Sequence, residues 1–195
     1  MKFASISAAL ALLGALALAA EPEFTKDGEL VRPQNYREWI YLSSGLGMTY
    51  GAPAAKANPN PMFDNVFVEP SAYRQFVATG KWPDKTMFAL EIRRASSIGS
   101  INKGGQFQTD AAAVEIAVKD VGRFKDQWGY FGFNGPATTA KAFPESAGCN
   151  SCHGQNAAVE HTFVQFYPTL LPIARAKGTL KPSYLKAETE EKAGH

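Results

Sequence analysis

Residues 86–94 read TMFALEIRR, and this stretch decides the fold class because its side chains alternate with the two-residue period of a β-strand. One face of the predicted strand carries Phe88, Leu90 and Ile92. The opposite face carries Met87, Ala89, Glu91 and Arg93. We therefore expect this stretch to lie within a β-sheet.

Further strand and helix signals lie on both sides of this stretch. Residues 65–70, NVFVEP, are strand-like, and Pro70 then begins a short helix that ends at Gly80. Two more strands are predicted at residues 112–120 and 128–133, which read AAVEIAVKD and WGYFGF. The turn-rich GRFKDQ that separates these two strands favours a sheet of sequential strands.

Helices are predicted near the two ends of the chain. Residues 33–44 carry aromatic and apolar side chains at helical spacing, with Asn35 as the cap and Gly45 as the stop. Residues 161–178 read as a helix that breaks or restarts at Pro168. Together the elements predict an α+β fold, a mainly antiparallel β-sheet with flanking helices.

The N-terminus has the three parts of a secretory signal peptide, predicted to span residues 1–20. Lys2 supplies the positive start, residues 3–18 form an apolar run, and small alanines precede a cleavage site near Ala20. A membrane-anchoring helix is the alternative, but the run is short for a bilayer and an acidic, polar segment follows from Glu21. We expect export to the periplasm.

Composition is that of an ordinary globular protein, with 45% hydrophobic and 19% charged residues. Residues 21–195 suit a single domain, and we expect a disordered, charged tail from about residue 186 that includes His195. The formal charge of +2 becomes +1 once Lys2 is removed with the signal peptide. Nothing in this balance predicts nucleic acid or a membrane surface as a partner.

The chain's two cysteines lie in CNSCHGQ, residues 149–155, in the pattern C-x-x-C-H. This pattern attaches c-type haem, because each thiol adds to a vinyl group and the histidine binds the iron. We therefore predict one haem held by Cys149, Cys152 and His153, with His153 as the proximal iron ligand and the motif on a helix near the C-terminus. A disulfide or redox pair is the alternative, while zinc lacks enough further ligands.

The other side of the iron decides what such a haem does. His161 follows His153 by only eight residues and is expected to be a surface residue or to support the site indirectly. Met48, Met62 and Met87 are candidate sixth ligands, although each also suits core packing.

Four phrases, in order along nearly the whole mature chain, resemble the cytochrome P-460 family. They are NYREWIYLSSG, NVFVEPSAYRQFVATGKWPDKT, VEIAVKDVGRF, and CNSCH followed by FVQFYP. The resemblance implies an exported homodimer with an antiparallel sheet, one covalent haem and an open distal site. Family members include enzymes that oxidise hydroxylamine, and relatives called cytochrome c'-beta that bind nitric oxide under an apolar cap.

Two departures from the hydroxylamine-oxidising members affect the expected activity. The lysine that links to the porphyrin in those enzymes corresponds to Leu90, and a distal arginine corresponds to Asp64. Lys85, in the turn PDKT, is the alternative linker if the register is shifted. An apolar distal pocket is therefore expected around Leu90 and Phe88, with Asp64, Phe63 and Phe67 as further candidates.

Glu145 is the candidate catalytic residue, since the resemblance implies an acidic residue there that assists proton transfer in the oxidising members. The alternative is a solvated charge near the start of the haem helix. Arg93 and Arg94 are candidates to pair with haem propionates, or else lie at a solvated edge.

Three functions follow from these observations. The first is a five-coordinate cytochrome that binds nitric oxide as scavenger, carrier or sensor. The second is a hydroxylamine-oxidising enzyme, for which a periplasmic electron-transfer protein is a candidate partner. The third is a six-coordinate electron-transfer cytochrome.

Overall fold

A computed structural model describes residues 20–50 and 60–193 of the chain. The predicted signal peptide lies outside the described residues except for Ala20, and His195 also lies outside them. In the two described segments, no helix is long and apolar enough to cross a membrane.

Five antiparallel strands form the main sheet, and each pairs with the next along the chain in the order β2-β3-β4-β5-β6. A separate two-stranded sheet pairs β1 with β7. The strands are β1 (Leu30–Val31), β2 (Ile40–Leu46), β3 (Met62–Val68), β4 (Met87–Ser96), β5 (Phe107–Lys119), β6 (Trp128–Asn134) and β7 (Thr139–Ala140).

Helices flank this sheet, and the last three follow it in sequence. The α-helices are α1 (Pro70–Thr79), α2 (Cys149–Asn156), α3 (Leu171–Ala176) and α4 (Pro182–Ala193). Short 3-10 helices span Tyr36–Glu38, Glu145–Ala147 and Val164–Phe166. The predicted α+β class, with an antiparallel sheet and a helix near the C-terminus, is confirmed.

Helix α1 shows why the local signals were reliable. The Glu69 side chain accepts hydrogen bonds from the backbone N–H groups of Ser71 and Ala72, and Pro70 occupies the first helical position, where no N–H is needed. Gly80 ends the helix in the left-handed region with φ 74°.

The helix predicted for residues 33–44 is wrong beyond its first turn. Only Tyr36–Glu38 is helical, as a 3-10 turn, and Ile40–Leu46 forms strand β2. Pairing with β3 overrides the local helical spacing, since Ile40 and Tyr41 also suit a strand. Gly45 therefore lies inside a strand and stops no helix.

The C-terminal part also differs from expectation. The segment around Pro168 forms a 3-10 helix at Val164–Phe166, and helix α3 begins only at Leu171. A disordered tail was expected from about residue 186, whereas the structure has helix α4 through Ala193.

The two faces of the sheet pack two separate hydrophobic cores, as the alternation in β4 predicts. Phe88 packs in the core shared with α1, together with Phe76 and Trp82. Met87 and Ala89 pack in the core on the opposite face. Each fully buried large side chain contributes about 1.5–3 kcal/mol, so both faces of β4 stabilise the fold.

Candidate functional site

A cavity of about 250 Å³ lies between helix α2 and the α1 face of the main sheet. All five strands contribute to its wall, and the segment after α2 closes another side with Phe163, Phe166 and Tyr167. Cys152 and His153 line it from α2. The cavity thus joins the C-x-x-C-H motif to the strand that carries Leu90.

Helix α2 presents the motif on one side. Gly148 precedes it in the left-handed region, with φ 76°, and Cys149 is its first residue. Cys152 and His153 follow Cys149 by three and four residues, the spacing at which side chains share a helix face. Cys149 and Cys152 form no disulfide, and burial raises the pKa of the Cys149 thiol.

The imidazole of His153 is held in one orientation. Its Nδ1 lies 2.7 Å from the carbonyl oxygen of His161, so Nδ1 donates and Nε2 carries the free lone pair. The rings of Tyr130 and Phe163 pack against it, each with its centroid 4.5 Å from that of the imidazole. Burial lowers the pKa of His153, which favours the neutral form that binds metals.

Three buried side-chain atoms among the described residues lack a hydrogen-bond partner: Tyr130 Oη, Asn150 Oδ1 and His161 Nδ1. All belong to helix α2 or to residues that line the cavity. An unpaired buried polar group costs about 1–3 kcal/mol, so their concentration here indicates that a bound group completes the site. A mainly apolar cavity with His153 in its wall fits a haem.

The comparison with protein-family models matches residues 33–164 to the family described as Cytochrome P460. This chain belongs to the cytochrome P460 family. The match covers more than half of the chain, including every strand of the main sheet and all of helix α2. Membership indicates a haem-binding cytochrome, with haem as the cofactor. A comparison with curated proteins found no match.

Of the distal-pocket residues expected from the sequence, the cavity contains Leu90, Phe88 and Asp64. Phe63 and Phe67 are not in its wall, which corrects that expectation. Strand parity is the reason, because alternate residues of β3 face opposite sides and Asp64 and Val66 face the cavity. Phe67 instead packs edge-on against Tyr36 and Tyr41 on the other face.

Glu115 is a cavity residue that the sequence reasoning missed. It pairs in register with Leu90 across β4 and β5 and lines the cavity with Asp64. Burial raises the pKa of both carboxyls, and the charge of Asp64 raises that of Glu115 further. A lone charged residue within the apolar run VEIAV was the signal that could have revealed it.

Glu145 lies elsewhere. It begins the 3-10 helix Glu145–Ala147, is exposed, and does not line the cavity. Its sequence position four residues before Cys149 therefore does not bring its carboxyl into the same cavity as Leu90.

The other candidate residues also separate clearly. Met48 lines the cavity, whereas Met62 is 41% exposed and Met87 lies in the core on the opposite face. His161 lines the cavity and accepts a hydrogen bond from His153 through its backbone carbonyl.

The basic residues considered for the haem lie away from the cavity wall. Arg93 binds Glu91 and the Thr109 carbonyl, and Arg94 is exposed. Lys85 pairs with Asp120, so the structure gives no support to Lys85 as the alternative porphyrin linker.

Proposed function

We propose that this protein is an exported, monohaem c-type cytochrome whose function is to bind nitric oxide. Cys149 and Cys152 would hold the haem through thioether bonds to its two vinyl groups. His153 would bind the iron through Nε2, since its Nδ1 is engaged by the His161 carbonyl. When bound, the haem supplies an iron that takes up a small ligand and exchanges an electron.

Leu90 is the observation that carries the choice of nitric oxide. It lies in the cavity wall at the position where the resemblance implies a cross-linking lysine in the hydroxylamine-oxidising members. Val66 and Phe88 extend the same apolar surface from the neighbouring strand and from β4. Such a surface admits a neutral diatomic molecule, which needs no hydrogen bond to be retained.

Optical spectra of the purified haem protein test this proposal. We expect a five-coordinate, high-spin ferrous haem whose Soret band lies at the position usual for c-type haem. This form should bind nitric oxide on titration. Leu90→Lys should shift the ferrous Soret band to the red if a tether forms, while the matched variant Leu90→Ile, which adds no iron ligand, should keep the wild-type band. A strongly red-shifted band in the wild type, or no response to nitric oxide, would refute the proposal.

Hydroxylamine oxidation is the second candidate, because Asp64 and Glu115 bring carboxyl groups into the cavity. A carboxylate there can take up a proton from the substrate while the electrons leave to a periplasmic electron-transfer protein. Burial raises the pKa of Glu115 toward the range in which general bases work best. This reading assigns to Glu115 the role that the sequence suggested for Glu145.

Turnover with a chemical electron acceptor tests the second candidate. If it holds, Glu115→Gln should lower kcat by about 100-fold or more. Asp110→Asn, which removes an exposed carboxylate from the same strand, is the control and should leave kcat unchanged. A loss in Glu145→Gln instead would assign proton transfer to Glu145, and no turnover in the wild type would reject the candidate.

An electron-transfer cytochrome is the third candidate, favoured only by the presence of Met48 in the cavity wall. It requires a spectrum that is low-spin in the absence of added ligand and that becomes high-spin in Met48→Leu.

We also propose a homodimer, which a measurement of the mass of the haem protein in solution tests.

A further inference from the structure

The carbonyl that orients His153 belongs to a tight turn, Val159–Thr162. Val159 and Thr162 pair through backbone hydrogen bonds of 3.3 and 2.8 Å, which leaves Glu160 and His161 at the corner. Glu160 is in the left-handed region with φ 49°, a conformation that favours glycine. A side chain other than glycine persists there only when its surroundings hold it.

Lys119 holds this corner. It is the last residue of β5, is only 8% exposed, and its Nζ donates to the Glu160 carboxylate at 2.7 Å and to the Trp82 carbonyl at 2.8 Å. Trp82 Nε1 also donates to Thr162 Oγ1 at 2.8 Å. The turn is thus tied at two points to buried residues outside the haem helix.

We infer that the Lys119–Glu160 ion pair positions the proximal imidazole. It fixes the corner of the turn, the turn aims the His161 carbonyl, and that carbonyl sets the tautomer and ring orientation of His153. Partners of this kind control how strongly a ligating imidazole donates to its metal. The inference rests on the proposed ligation of iron by His153, but not on the choice between nitric oxide and hydroxylamine.

The chain contains a closely matched control. Lys85 is also in the left-handed region, with φ 64°, and its Nζ lies 2.7 Å from the carboxylate of buried Asp120. This ion pair has the same length and lies beside Lys119 in sequence, where the Lys85 N–H donates to the Lys119 carbonyl. The ion-pair partners of Lys85, however, are carboxylates outside the turn Val159–Thr162. Loss of either ion pair should lower the melting temperature. Only loss of the Lys119–Glu160 pair should change the iron–histidine bond and the midpoint potential.

Resonance Raman spectra and the midpoint potential of the haem protein provide the test. Lys119→Met, which keeps the aliphatic stem, should shift or split the ferrous iron–histidine stretching band and change the potential. Lys85→Met should leave both at wild-type values. If Lys119→Met lowers only the melting temperature, the ion pair is structural and the inference is wrong.

Two variants of Glu160 extend the test if Lys119→Met does not fold. Glu160→Gln weakens the ion pair while keeping an acceptor, and should shift the band in the same direction as Lys119→Met. Glu160→Gly removes the ion pair altogether, so it should shift the band at least as far as Glu160→Gln, even though glycine accepts the positive φ. A wild-type band in Glu160→Gln would contradict the inference. A His153→Ala haem protein that keeps the wild-type iron–histidine band would instead overturn the proposed ligation by His153.

Discussion

Glu91 and Glu115 are the same residue type on neighbouring strands of one sheet, yet they face opposite sides and meet opposite surroundings. Burial raises the pKa of Glu91, but hydrogen bonds from Tyr36, Arg37 and Arg93 outweigh it and lower the pKa overall. Glu115 faces the cavity, where burial and the charge of Asp64 raise its pKa. The Glu91 carboxylate therefore stabilises the fold through its partners, whereas the Glu115 carboxylate lines the cavity.

The largest effect on stability should come from removing the charge of Glu91, whose carboxylate is hydrogen-bonded and paired. Glu91→Gln should lower the free energy of unfolding by about 2–3 kcal/mol, because hydrogen bonds to a buried charged group are lost. Glu115→Gln should change it by less than about 0.5 kcal/mol or raise it, since no described residue forms a salt bridge with Glu115. Urea unfolding of the haem protein measures both, and equal losses would remove the contrast between the two faces.

The pH dependence of stability should have opposite signs for the two residues. The lowered pKa of Glu91 gives stability that is present above the ordinary glutamate pKa, near 4.3, and lost as pH falls through the folded value. The raised pKa of Glu115 costs stability as pH rises from that ordinary value through the folded value.

Unfolding of wild type and Glu115→Gln between pH 4 and 7 checks this sign. The advantage of Glu115→Gln should grow with pH, with a slope of at most about 1.4 kcal/mol per pH unit. An advantage that is constant or shrinks with pH would show that Glu115 does not titrate as its surroundings indicate.

The smallest effect should be on anionic ligands. Asp64 and Glu115 place negative charge in the cavity, so Asp64→Asn should strengthen azide binding by about fivefold at neutral pH. Optical titration of the ferric protein measures this, with Asp110→Asn as the control on the exposed part of β5. Equal effects in both variants would assign the change to net charge alone.

Local signals predicted much of the fold. Strands β3–β6 and helix α1 follow from alternation and from the cap at Glu69 and Gly80, which need no knowledge of distant residues. Strand β2 was missed because Tyr36, Trp39 and Ile40 fit a helix as well as a strand. Only pairing with β3 decides between the two.

Some residues of the candidate site could likewise be predicted from local sequence, and others could not. The helix that carries Cys149, Cys152 and His153 follows from a five-residue motif. Glu115 could not be placed without the β4–β5 register, which opposes it to Leu90. The wrong placement of Phe63 in the pocket could have been avoided from the sequence. Neighbouring residues of one strand face opposite sides, and Asp64 was already a candidate for the pocket.

A single methyl group added at Gly45 would change the space inside the cavity. It lines the cavity within β2, and a Cβ at this position would collide with the side chain of Met48. A variant with alanine there must move the thioether of Met48 and so change the room inside the cavity. We expect Gly45→Ala to change the size of the ligands that the cavity admits.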